Sequence, residues 1–143
     1  RLYHEKAFNR GLYYMNRSQT RGLNDWFRSG RRKPLILRGA RQVGKSTLVR
    51  RFAQAQSLHL AEVNLERNLQ LDDVFATLRP EFILRELAAI AGVDLTAPGC
   101  LLFLDEVQET PNALPALRYL YEECSDLPVV AAGSLLEFTL SQR

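Results

Sequence analysis

At 143 residues the chain is sized for one domain, and its 46% apolar and 24% charged residues are those of an ordinary globular protein. No apolar run reaches the roughly 18 residues of a membrane-spanning helix, and no secretory signal is visible in the polar, basic N-terminus, so no membrane span and a cytoplasmic protein are expected. Net charge is only +3, but residues 1–51 hold 11 Arg and 3 Lys against Glu5 and Asp25, whereas residues 52–143 hold 5 Arg against 14 acids.

Residues 1–17 show no clean period; Tyr3, Phe8, Leu12, Tyr13, Tyr14 and Met15 are interleaved with Arg1, Lys6, Arg10 and Arg17. Ser18 or Thr20 starts a helix to about Arg28, with Leu23, Trp26 and Phe27 on one face, and Gly30 ends it. An arm and helix over 1–30 therefore precede the core, 31–143. The basic linker Arg31-Arg32-Lys33-Pro34 leads to a strand at 35–38 whose uncharged start suits burial on both faces.

Gly39 follows, then Ala40, Arg41, Gln42 and Val43, then Gly44-Lys45-Ser46. This is G-x-x-x-x-G-K-[ST], the phosphate-binding loop, standing between a strand and a helix as the motif requires. A phosphate chain is held by converging backbone N–H groups, which a helix N-terminus supplies unpaired, and the glycines allow close approach. In a chain this short the pattern arises by chance on the order of once in a hundred.

The helix at 45–56 points Leu48, Val49, Phe52 and Ala53 one way and Arg50, Arg51, Gln54 and Gln56 the other. A strand fits 58–65, where His59 reads as a half-exposed strand residue. Residues 66–91 are helical in pattern, with Pro80 opening a second helix. Cys100 to Asp105 is a third strand: five apolar residues, a carboxylate, then Glu106. Asn112 caps the next helix, with Pro115 in its first turn. Residues 128–133 form a fourth strand, and Ser134 to Glu137 carries a capping-box pattern. Cys100 and Cys124 form no C-x-x-C and sit in apolar patterns, so reduced thiols are expected.

Strands alternating with helices predict an α/β fold, a parallel sheet with helices on both faces. Ligands in such folds bind at the C-terminal ends of the strands, where the glycine loop, Asp105-Glu106 and Gly133-Ser134 all fall. For a magnesium-bound nucleotide, the backbone of Gly39, Ala40, Arg41, Gln42, Val43, Gly44, Lys45, Ser46 and Thr47 forms the cradle. Lys45 reaches the β and γ oxygens and the Ser46 hydroxyl holds Mg²⁺ with Asp105. Glu106 polarises the attacking water, with Glu109 a second candidate. Ser134 has two competing readings, a γ-phosphate sensor or a helix cap. Asn64 is placed to hydrogen-bond Glu106 and hold it from the water.

RGARQVGKST (38–47), LFLDEVQE (102–109), LRYLYEE (117–123) and VVAAGSLLEF (129–138) together resemble the prokaryotic AAA-type P-loop ATPases that carry a C-terminal domain of unknown function. The likeness covers roughly residues 31–140. It implies an AAA+-like core with strand order 5-1-4-3-2, counting from the strand at 35–38, and ATP as ligand. It also implies the roles above for Lys45, Ser46, Asp105 and Glu106, and the sensor position for Ser134. Members of that family run on beyond this point, so the chain is expected to stop before the fifth strand, the arginine finger and the helical lid. The strand at 35–38 would then have an open edge, and a homo-oligomer or partner subunit would supply the arginine. The segment alone is expected to bind ATP weakly and hydrolyse it slowly. The alternative is a nucleotide-gated scaffold, or a module binding nucleic acid through the basic first third without turnover of its own.

Overall fold

A computed structural model describes residues 12–16, 20–30, 32–39 and 44–134. The remainder of the N-terminal arm, including Arg17, and the capping-box partner Glu137 lie outside the described residues. The elements are β1 (Tyr13–Asn16), α1 (Thr20–Arg28), β2 (Leu35–Gly39), α2 (Lys45–Ala55), β3 (His59–Asn64), α3 (Leu71–Ala76), α4 (Pro80–Ala91), β4 (Cys100–Asp105), α5 (Ala113–Glu123) and β5 (Val129–Ser134). The five strands form one parallel sheet in the order β1-β2-β5-β4-β3.

Every residue of the central strands β4 and β5 is buried. That is why each reads as a continuous apolar run rather than an alternating one. The pleat sorts their side chains into two layers. Leu35, Leu37, Phe103 and Val130 pack with Trp26 of α1 and Phe52 of α2. Ile36, Leu102, Leu104 and Ala131 pack with Phe75, Ile83 and Leu117 of α3, α4 and α5. The chain steps along the sheet from β1 through β2 to β3 with α1 and α2 on one face, then returns through β4 to β5 with the other helices opposite. Right-handed crossovers require this division.

Strands β2, β5, β4 and β3 stand in the mutual order that the family resemblance implies. The edge of β2 is not open, however. β1 pairs along it from Tyr13 opposite Leu35 to Asn16 opposite Arg38. Four residues are too few to display a period, so this strand is fixed by its neighbour rather than by its own pattern.

Pro80 opens a second helix, α4, as its place in the sequence suggests, after Leu78 takes φ +53. One other local reading changes. Asn112 makes no side-chain cap to α5. Asp72 of α3 instead accepts from both the Asn112 backbone N–H (2.9 Å) and its Nδ2 (3.1 Å), so the start of α5 is tied from 40 residues away. Both cysteines are free, and burial pushes their thiols above the ordinary range. Among the described residues no helix is long and apolar enough to cross a membrane.

Candidate functional site at the C-terminal rim of the sheet

The register of the sheet builds one rim. β2 ends at Gly39 directly opposite Ser134, the end of β5. β3 ends at Asn64 directly opposite Asp105, the end of β4. β2 and β5 are neighbours in the sheet but not in the chain, and the helix leaving β2 and the helix entering β5 lie on opposite faces; ligands in open α/β sheets bind at the C-terminal ends of the strands.

After Gly39, residues Ala40, Arg41, Gln42 and Val43 lie outside the described residues. Gly44 takes φ +77, a conformation that a side chain would make costly, and directly precedes α2. Its carbonyl accepts the first helical bond, from Leu48 N (2.9 Å). Among the described residues no side chain caps α2, and its first turn holds no acid. Its N-terminal amides and positive dipole end therefore stand at the rim with the Lys45 ammonium. Lys45 is only 2% exposed; Ser46 is half-buried and Thr47 exposed.

Asp105 joins this loop to the sheet. Its Oδ2 accepts the Ser46 hydroxyl at 2.9 Å, across 59 residues of sequence, and its Oδ1 accepts the Glu106 N–H at 2.9 Å. The residue is 9% exposed, and burial pushes its carboxyl above the ordinary range. The bonds from Ser46 and Glu106 N and the charge of Lys45 oppose that rise, while the Glu106 charge adds to it.

Glu106 has φ +56 and ψ 47, a left-handed backbone at a residue with a long side chain. Such strain persists only where the surroundings enforce it, and it collects at functional sites. The turn Val107–Glu109 enforces it here: Glu109 N donates to Glu106 O (3.0 Å) and Thr110 N to Val107 O (3.2 Å). Glu109 itself is half-exposed at the far end of that turn.

The Glu106 carboxylate is held differently from the sequence expectation. Asn64 Oδ1 accepts from Arg67 N (3.2 Å), capping the short turn Leu65–Arg67. The group on Glu106 Oε1 is Gln108 Nε2, at 2.6 Å. The sequence signal for Gln108 is slight: an amide two residues past a rim carboxylate, which reaches back only because Glu106 turns left-handed. Ser134 is 7% exposed at the end of β5; the helix it would cap lies outside the described residues.

The arrangement thus sets an uncapped helix N-terminus and a buried ammonium beside a hydroxyl–carboxylate pair, with a second carboxylate next to them. Such a set can neutralise a phosphate chain, share a hard cation and take a proton. A family model described as an AAA domain matches residues 31–143. No curated protein and no solved structure matches the chain.

Proposed function

Because the chain belongs to this AAA-domain family, we propose that it is the ATP-binding core of an ATPase that binds Mg-ATP at the rim and hydrolyses it. The observation that carries the reading is the Ser46 Oγ to Asp105 Oδ2 bond at 2.9 Å. It brings the helix after the glycine loop and the carboxylate ending β4 to one point, next to the buried Lys45.

The donor set suits magnesium. Hydroxyl and carboxylate oxygens are the ligands hard cations take, and Mg²⁺ usually binds through one or two protein groups plus phosphate and water. Among the described residues no cluster of three His, Cys, Asp or Glu side chains offers a complete protein cage, so Ser46 and Asp105 would hold the ion together with the nucleotide. Bound there, the ion supplies charge neutralisation on the phosphate oxygens.

The chain's own residues do the rest. The α2 amides and Lys45 bind and orient the phosphates. Gly39 to Thr47 forms the cradle. Glu106 takes the proton of the attacking water, and Ser134, opposite Gly39, faces the terminal phosphate or that water. An arginine from a second subunit or a partner completes the charge stabilisation, a contribution of about 10³ to 10⁵ in rate where it has been measured. Specific activity should therefore rise with protein concentration or with partner.

Titration with ATP, GTP and ADP, with and without Mg²⁺, tests the reading on the parent and on Lys45→Ala. Magnesium-dependent ATP binding by the parent, lost in Lys45→Ala, is expected. Equal binding by both proteins would refute it.

A further inference from the structure

We propose that Gln108 is a positioning residue for Glu106, holding its carboxylate in the orientation that accepts the proton of the attacking water; this rests on the reading of Glu106 as the base. Three observations support it. The Gln108 Nε2 to Glu106 Oε1 separation is 2.6 Å, at the short limit for a nitrogen donor, as befits a bond to a charged acceptor. The Glu106 backbone cannot adjust to redirect the side chain, because Asp105 Oδ1, Glu109 N and the left-handed φ fix it from both sides. The carboxylate's aim is thus left to its own torsions, and Gln108 restricts those.

The third observation is the other end of the amide. Gln108 Oε1 is buried and has no hydrogen-bond partner among the described residues. A glutamine retained for packing alone would be expected to satisfy both ends or to turn outward. Here Nε2 meets Glu106 while Oε1 has no partner among the described residues.

Water oxygen forms a bond to the γ-phosphorus while the bond from that phosphorus to the bridging oxygen breaks, and ADP leaves with the electron pair. The water's O–H bond breaks and its proton goes to Glu106. Gln108 uses one lone pair of Oε1, and the incoming proton is placed on Oε2, the oxygen that this bond leaves open.

The test uses the full chain as parent, Gln108→Met, Glu106→Gln and the double variant. Methionine keeps the length of glutamine and removes the donor. Single-turnover hydrolysis of MgATP, KM and the melting temperature are measured for all four. The expectation is that Gln108→Met lowers kcat by roughly 10- to 100-fold, the scale of a base misplaced by about 1 Å, with KM unchanged. In the Glu106→Gln background the same substitution should change nothing further, because the residue acts through Glu106.

An unchanged kcat in Gln108→Met, or an equal further loss in the Glu106→Gln background, overturns the proposal while leaving the base reading intact. Hydrolysis by Glu106→Gln as fast as by the parent removes the base reading, and this proposal with it. The melting temperatures of the nucleotide-free parent, Gln108→Met, Glu106→Ala and the corresponding double variant give a check that needs no turnover, because alanine, unlike glutamine, removes the acceptor. A non-additive cycle is expected, and strict additivity means that the two side chains do not hold each other.

Discussion

Asp105 is a buried carboxylate whose charge the fold tolerates rather than exploits, so removing that charge should stabilise the nucleotide-free protein. Burial is the leading influence on it and raises its pKa from the ordinary 3.8. An acid with a raised folded pKa contributes stability that is fully present below its unfolded pKa and is lost as pH rises through the folded one. Asp105→Asn loses nothing in that window. It also keeps both local bonds: the amide oxygen still accepts from Glu106 N, and its NH₂ donates to Ser46 Oγ, which changes from donor to acceptor. Ser46→Ala should do the reverse. It removes a hydrogen bond to a charged group, worth about 1.5–3 kcal/mol, or roughly 5–12 °C in a domain of this size. Melting curves from pH 4 to 8 then separate the two. Without nucleotide, Asp105→Asn should melt above the parent at neutral pH and converge with it in acid, while Ser46→Ala melts below it. Saturating MgATP, at 100 times its Kd, should raise the parent by about 2.7 kcal/mol, and both variants should lose the magnesium-dependent part of that gain. If Asp105→Asn fell as far as Ser46→Ala, the carboxylate would be a structural anchor. If one of these variants gained as much as the parent from magnesium, the oxygen it alters would not serve the metal.

Other substitutions probe separate parts of the rim. Glu106→Gln should retain MgATP binding in titrations and lose about 10²- to 10⁴-fold in single-turnover rate, the range of general base catalysis. Gly44→Ala forces a side chain into φ +77; about 1–2 kcal/mol of stability should go, seen as a lower melting temperature, and MgATP affinity should fall with the distorted cradle. Ser57, exposed after α2 with φ +57, offers the opposite case. Ser57→Gly should stabilise by roughly 0.5–1 kcal/mol, since relief of the left-handed strain exceeds the added chain entropy of glycine, and should leave nucleotide binding unchanged.

Much of the sheet was legible because burial on both faces writes itself into sequence as short apolar runs. Leu35 to Leu37, Leu101 to Leu104 and Val129 to Ala132 all became strands. The polar residue at the end of each run marked the rim, where the apolar run stops although Asp105 and Ser134 themselves stay buried. The glycine loop was legible for a different reason: its chemistry depends on neighbours in the chain. What escaped was tertiary. β1 carries four residues and owes its place to the edge of β2. The cap of α5 comes from Asp72, on a helix with no sequence link to it. Gln108 reaches Glu106 only because of a backbone torsion that no residue type announces.

The way Asp105 divides its two oxygens also constrains how the site can work. Oδ2 faces Ser46, at the start of α2, and Oδ1 holds the N–H of Glu106. A cation shared by Ser46 and Asp105 draws on the Oδ2 side, leaving the tether to the base in place. That tether, the left-handed turn and the Gln108 bond all hold Glu106, so under the proposed function the base would be preset before any nucleotide arrives. Loading the phosphate site and aiming the base are then separable. Substitutions at Lys45 or Ser46 should appear in affinity, those at Glu106 or Gln108 in rate, and Asp105, which belongs to both halves, should alter the two together.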